Sequence, residues 1–570
     1  MTRNSLRAAL GTLLLAAAAL LVPAAGASVA GSVHVSPSRI RSVTDFSATF
    51  RGYWWDFGDE TRLAVEDSRE GFVNPRVSGG WWSATSAIRP QSGRADGTIR
   101  LSHLNIDGPE PTNWEPSEFR YLPLDPGYRY LAYRMCSSAS AGLTMVRWHT
   151  DASKADGDYG GTVFREARQG CWLYRFDLAA ERNPKVGTVT WGEEPAYAIE
   201  ILPVSEPGID IRLDFVTLSD RAWGRTVQIT WQGLAEPVSL YFAGGDGART
   251  RIAGGRTGGA FSWRTPGLAP GAYRVVAVSA AGGTYPAVEG LVVDTPPTGR
   301  VLDPSATSGP DYAAEVIGDP WDFSNRADVE RALGMTPDSS LSDGVYDAVS
   351  QRASGGSGDA RLFLHVTDPI DPQRYHYLTY RMWVEGDGLL AGTGGVARVF
   401  WYRDGSWDAD DRSFTQDLRV YRGWRTVTID LARAYLQGDD IGPWGRTVVT
   451  DLRLDPHESP VPRAFRLDWV TLTGDVVADE SFRIRYQAAD PDGGTPVVRL
   501  FYDTDRQPAA GANRVPIACA PDPGFPAAGS CLWRTSGVAD GDYFIHLLVT
   551  DALGNQAWVT SEVPLLVRHL

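Results

Sequence analysis

Ile211-Arg-Leu-Asp-Phe-Val-Thr-Leu218 appears a second time in the chain, as Phe465-Arg-Leu-Asp-Trp-Val-Thr-Leu472. Alternation places Ile211, Leu213 and Phe215 on one face and Arg212 and Asp214 on the other, and the second copy reads the same way. Period-2 patterning in β-branched and aromatic residues is a half-buried strand. A carboxylate in the middle of such a strand needs a partner. Two suit it: a neighbouring arginine, as an ion pair, or a metal ion. The copies, Asp214 and Asp468, lie too far apart for a solenoid repeat and predict a duplicated multidomain module.

Working outward, the match extends upstream in both halves. Tyr53-Trp-Trp-Asp-Phe57 corresponds to Pro320-Trp-Asp-Phe323, and Asp125-Pro-Gly-Tyr-Arg-Tyr-Leu-Ala-Tyr-Arg-Met135 to Asp371-Pro-Gln-Arg-Tyr-His-Tyr-Leu-Thr-Tyr-Arg-Met382. Gly170-Cys-Trp-Leu-Tyr-Arg-Phe-Asp-Leu178 corresponds to Gly423-Trp-Arg-Thr-Val-Thr-Ile-Asp-Leu431. The repeated Asp strand closes each unit. Short strands separated by irregular loops predict a two-sheet sandwich over 46–220 and another over 300–474. Helical pattern is scarce, with Ala327 to Leu333 and Leu431 to Leu436 as the candidates.

A smaller unit follows each large one. Trp263 to Val278 recurs as Trp533 to Leu548, and Val238-Ser-Leu-Tyr-Phe242 as Val498-Arg-Leu-Phe-Tyr502. Strands spaced by Gly, Pro and Asp turns predict small immunoglobulin-like sandwiches over 224–295 and 478–570. Thr295-Pro-Pro-Thr-Gly299 is a stiff junction between the halves. The predicted fold is all-β, a set of tandem β-sandwiches.

The first 27 residues read as a secretory signal: Arg3 and Arg7, an apolar run from Ala8 to Val22, then Ala25-Gly26-Ala27 for cleavage. The mature chain is expected to begin near Ser28, with 28–45 as a linker, and to be secreted or held at the cell surface. No later run reaches the length of a membrane span. The net charge of −15, with no basic block, speaks against a nucleic-acid partner. The 20 Trp, 22 Tyr and 19 Phe are incompatible with a disordered chain.

Aligning the two large units sets Cys136 opposite Trp383 and Cys171 opposite Trp424. Two distant positions that change together make sense if they touch, so Cys136 is expected to pair with Cys171. Cys519 and Cys531 fall in one loop and are expected to pair with each other. No CxxC spacing or clustered histidine supports a metal at either pair. There is no HExxH, nucleophile elbow, phosphate loop or dinucleotide fingerprint, so no catalytic residue is assigned.

The large units resemble bacterial carbohydrate-binding modules of the galactose-binding-like jelly-roll type. The resemblance rests on the Trp-Asp-Phe opening, Trp424 to Leu431, Leu452-Arg-Leu-Asp-Pro456 and the closing Leu467-Asp-Trp-Val470. The first copy departs from it, with Ile199-Glu-Ile-Leu-Pro203 at the third of these. The small units resemble the immunoglobulin-like or fibronectin type III-like modules of exported bacterial proteins, through Gly541-Asp-Tyr543 and Asp551-Ala-Leu-Gly-Asn555. The jelly-roll resemblance implies a structural calcium between the opening and closing strands, held by Asp56 with Asp214 and by Asp322 with Asp468. Hard oxygen ligands suit that ion.

Trp148 and Trp401 occupy matching apolar strands and read as core. Trp81, Trp82, Trp114 and Trp407 stand in Gly-, Ser-, Asp- or Pro-rich contexts. Exposed indoles there are sugar-stacking candidates; the alternative is a tryptophan folded over a sheet end. The sequence therefore reads as an exported, non-catalytic protein binding polysaccharide or cell-surface glycan. A structural or adhesive surface protein without sugar binding, and an accessory component of a glycan-active enzyme, are the alternatives.

Overall fold

The computed structural model describes residues 31–569, apart from 52–54, 56, 58–70, 89–92, 96, 102–123, 125, 140, 151–160, 181–189, 194–195, 246, 337–340, 343, 352–359, 386–395, 404, 406–410, 416–417, 421–422, 435, 459–461, 507–513 and 521–528. The expected signal segment lies outside the described residues. Among those described, no helix is long and apolar enough to cross a membrane.

The chain is a series of β-sandwiches. In the first large one, five antiparallel strands run in the order Phe72–Ser78, Trp81–Ser86, Asp210–Ser219, Tyr130–Ser137, Gly170–Asp177. They face a second sheet of Ile99–Leu101, Ala196–Leu202, Leu143–Thr150 and Gly161–Glu166. The second large sandwich repeats the five-stranded sheet as Leu341–Ser342, Val345–Val349, Ala464–Thr473, Tyr377–Val384, Gly423–Asp430. The repeated strand is central in both sheets. Trp148 and Trp401 are buried in the two cores, each edge-on to a second tryptophan, Trp191 and Trp444.

The alternation read from the sequence fails at one point, for a physical reason. Leu213 pairs with Met135 and Phe215 with Arg134, so Asp214 is the extra residue of a β-bulge. In the second copy Leu467 pairs with Met382 and Trp469 with Arg381, leaving Asp468 in the same position. A bulge turns two successive side chains to one face. Phe215 therefore leaves the side of Leu213 and joins the core of the neighbouring small sandwich.

Of the expected linker 28–45, the described residues 31–45 include two strands of the small sandwich. Ser32–Ser36 pairs antiparallel with Thr226–Gln232, and Arg39–Ile40 pairs parallel with Leu291–Val293. Thr298–Asp303 likewise pairs with Ser481–Ala489. The first small sandwich takes two strands, and the second takes one, from before the large unit and the rest from after it, so the large units are inserted into the small ones. The two helix candidates are also corrected. Arg326–Asp328 and Leu431–Arg433 are single 3₁₀ turns, followed by strands Val329–Leu333 and Leu436–Asp439.

The junction around Pro296 is bridged rather than bare. Asn555 donates through Nδ2 to Asp294 at 2.8 Å, the Thr295 amide donates to Asp492 at 2.6 Å, and Ser42 donates to Asn555 at 3.1 Å. Among the described residues, every sheet nevertheless closes within one half, on residues 32–293 or 298–567. Separate fragments ending and starting at Pro296 are expected to fold. Each should lose a few kcal/mol at most, about 1 kcal/mol for each bridging hydrogen bond. Scanning calorimetry checks this, and loss of a cooperative transition in both fragments would show that the halves are one folding unit.

The two halves join their sandwiches differently. In the second, His376 lies between Asp430 (3.3 Å) and Asp475 (3.2 Å). Burial opposes its charge, but the hydrogen bonds and attraction of the two carboxylates outweigh that and hold its pKa up to about 9. The matching residue in the first half is Arg129, paired with Asp177 at 3.1 Å. A histidine whose folded pKa is raised contributes stability that is complete below its unfolded pKa and lost as pH rises through the folded one. The second half should therefore weaken between about pH 6.5 and 9, by about 2 kcal/mol after solvent screening. His376→Arg should remove the dependence, and the first half should not show it. Calorimetry at pH 6, 8 and 10 distinguishes these outcomes.

Candidate functional site

The jelly-roll resemblance implies calcium at the bulged aspartates. The Asp214 carboxylate accepts from Arg134 Nη1 at 2.6 Å, and Asp468 accepts from Arg381 Nη1. Both arginines come from the adjacent strand, at matching positions. The ion-pair reading is the one the geometry supports. The Ser324 hydroxyl, and with it the Ser324 amide at 2.9 Å, hydrogen-bond to Asp322 and hold its pKa below the ordinary value; Asp56 lies outside the described residues. In both expected calcium pairs the closing-strand carboxylate is bonded to an arginine of the adjacent strand. Nearby Asp328 is buried with one carboxylate oxygen unpartnered, and burial together with Asp319 and Asp322 raises its pKa to about 6. Among the described residues no group of three or more His, Cys, Asp or Glu side chains is gathered for a metal.

The link between opening segment and closing strand exists, but other residues make it. Asp45 accepts from the Ala48 amide at 3.0 Å and the Leu218 amide at 2.8 Å. Asp311 accepts from the Ala314 amide at 3.1 Å and the Leu472 amide at 3.0 Å. Each carboxylate caps a short helical turn and pins the last strand to it. Both pKa values are raised by burial, that of Asp45 to about 6. Thr44-Asp-Phe46 and Pro310-Asp-Tyr312 carry this match in the sequence, a signal overshadowed by the longer Trp-Asp-Phe repeat.

Arg134 is fully buried and does more than neutralise Asp214. It donates to Thr250 Oγ1 at 3.1 Å and to the Ala248 carbonyl at 2.6 Å, both on the small sandwich. Phe215 and Leu173 of the large sheet also pack into the small sandwich's core. The small unit therefore roofs part of the large unit's outer face and leaves a cleft of about 420 Å³. Trp81, Arg212 and Asp214 line it from the large sandwich, and Gly245, Pro270 and Tyr273 from the small one.

Local sequence explains why Trp81 is there. Gly79 and Gly80 both have positive φ, 58° and 76°, and Ser78 pairs with Trp81 across them. Such a two-residue hairpin turn needs glycine-like conformations at both positions. It starts the next strand at Trp81, facing outward, and alternation then sends Trp82 into the core, where it is 1 % exposed. Arg212 lies 4.3 Å and Arg134 5.2 Å from the Trp81 ring centroid. Of the four tryptophan candidates, Trp81 reaches a cleft, Trp82 is core, and Trp114 and Trp407 lie outside the described residues.

The expected disulfides are both present, Cys136–Cys171 and Cys519–Cys531. The first joins directly paired positions of neighbouring strands, and Trp383 and Trp424 are paired in the same way in the second copy.

No protein-family model matches the chain, and no curated protein matches it. Among solved structures, it is similar to fibronectin(III)-like modules of Clostridium thermocellum CbhA, with 12% identity over 61% of this chain and 87% of that one, at a TM-score of 0.16. A tandem CBM22 domain from Paenibacillus barcinonensis gives 10% identity over 77% and 98%, at 0.17. Carbohydrate-binding modules of the β-sandwich superfamily give 10% over 44% and 91%, at 0.18. Similarity at this level does not bear on function, which rests on the chain's own residues.

Proposed function

We propose that the protein is an exported, non-catalytic polysaccharide-binding protein, and that the first small sandwich shapes its binding surface rather than merely spacing it. The observation that carries this reading is the cleft at the sandwich junction. An indole wall offers a face for the C–H side of a sugar ring, while Arg212 and the fixed Asp214 carboxylate offer a donor and an acceptor for hydroxyls. A concave site at a domain junction that sets aromatic side chains beside a few convergent polar groups has the elements of a small-ligand site. Two disulfides accord with an oxidising compartment. Calcium at the expected aspartate pairs has no part in the reading, because the arginines hold those carboxylates.

The test is isothermal titration of the full chain with soluble neutral oligosaccharides of glucose, xylose, mannose and galactose. At least one series should bind, and Trp81→Ala should weaken it at least tenfold with the circular dichroism unchanged. Failure of every series to bind, or an affinity indifferent to Trp81→Ala, would remove the cleft from consideration as a sugar site.

A further inference from the structure

The same outer sheet face is built differently in the second half. Cys136, Cys171 and Phe215 of the first copy correspond to Trp383, Trp424 and Trp469. In the first copy two of these positions form the disulfide and the third is sealed under the small sandwich. In the second, none of the three tryptophans belongs to a core cluster. Trp424 is 36% exposed, Trp383 and Trp469 are half-buried, and Thr426, which replaces the buried-interface Leu173, is exposed. Among the described residues, the small sandwich's core takes in Tyr377 and Ala306 of the second large unit and no side chain of this face.

We propose that this open face binds an extended, uncharged polysaccharide chain, as a second site distinct from the cleft. This rests on the glycan-binding reading for its ligand class alone. Asp347, Arg466, Trp383 and Trp424 are consecutive partners across four strands and form one row perpendicular to them. Neighbouring strands lie about 4.8 Å apart, close to the length of one pyranose unit in an extended chain. Successive sugar rings can thus meet successive side chains of the row. The arginines are stacked on the indoles, Arg466 at 5.0 Å from Trp383 and Arg381 at 4.5 Å from Trp424. Each is also paired with a carboxylate, Arg466 with Asp347 at 3.1 Å and Arg381 with Asp468. The charges cancel in pairs and leave apolar plates between hydrogen-bonding groups of both kinds. That complements a hydroxyl-rich neutral polymer and gives no net attraction to a polyanion.

The first copy supplies a knock-out that keeps the fold. Trp383→Cys with Trp424→Cys places cysteines at positions where the equivalent strands already carry a disulfide. The full chain should be retained on insoluble cellulose or mannan, two neutral β-linked polymers, in a manner insensitive to 1 M NaCl. The double variant should lose at least tenfold in retention, and the loss should be the same whether it is made in the wild type or on top of Trp81→Ala, so that this face is read apart from the cleft. Retention on neither polymer, unchanged retention of the double variant, or binding confined to alginate and abolished by salt would overturn the proposal. So would a concentration-dependent dimer in sedimentation that the double variant abolishes, because the face would then be a self-association surface.

Discussion

Arg134→Ala is expected to cost the first half about 3–5 kcal/mol, the range for removing one partner of a buried ion pair, whereas Arg381→Ala should cost the second half less than about 1 kcal/mol. The two arginines hold matching positions and matching aspartates, so their environments must decide the difference. Arg134 has no exposed side-chain surface, whereas 41% of the Arg381 side chain is exposed. Removing Arg134 takes away its hydrogen bonds to Asp214, Thr250 Oγ1 and the Ala248 carbonyl, the last two across the sandwich junction, and leaves a buried void where the guanidinium lay. At the exposed Arg381 position, water can take the place of the lost guanidinium. Arg134→Met preserves most of the volume and should remain nearly as destabilising, since the lost hydrogen bonds and not the lost packing are the larger cost. Thermal unfolding of the full chain, with each half followed as its own transition, reads both effects. Equal losses for Arg134→Ala and Arg381→Ala would show that the small sandwich does not lean on the large one through this residue.

The contrast also shows what the sequence could and could not reveal. The strand containing Asp214 was legible because duplication repeated it, and the two outcomes for its carboxylate were both visible there. The bulge was not. A one-residue shift in pairing leaves the hydrophobic pattern nearly intact, and Phe215 reads as core on either side. Burial of Arg134 was hidden for a related reason, because it depends on a second domain resting on the sheet. The insertion of each large sandwich into a small one escaped notice because Ser32–Ser36 is a five-residue strand whose partner, Thr226–Gln232, lies beyond the whole intervening unit. Local pattern does not announce so distant a pairing. Trp81 and Trp82 differ by one position and were read alike. The Gly79-Gly80 turn before them holds the information that separates them, since turn type fixes which residue starts the strand and hence which face it takes.

The covarying cysteines and tryptophans lead to the second large effect. Replacing Cys136 and Cys171 together by serine should destabilise the first half by about 4 kcal/mol on the chain-entropy model, because the bridge closes a loop spanning 35 residues. Cys519–Cys531 spans 12, and its loss should cost the second half about 3 kcal/mol. The decisive variant exchanges the first copy's solution for the second's, Cys136→Trp with Cys171→Trp. A cross-strand aromatic pair contributes roughly 0.5–1.5 kcal/mol, so it should recover a minority of the loss and leave the half about 3 kcal/mol below the wild type. The bridge acts chiefly on the unfolded chain, which it keeps compact, whereas an indole pair acts only where both rings are already in place. Non-reducing peptide mapping establishes the pairing, and calorimetry of the serine and tryptophan variants separates the two contributions. If the tryptophan pair restored full stability, chain entropy would not be what the disulfide supplies. The second copy's tryptophans would then be a structural equivalent of the bridge, and their exposure would need no ligand to explain it.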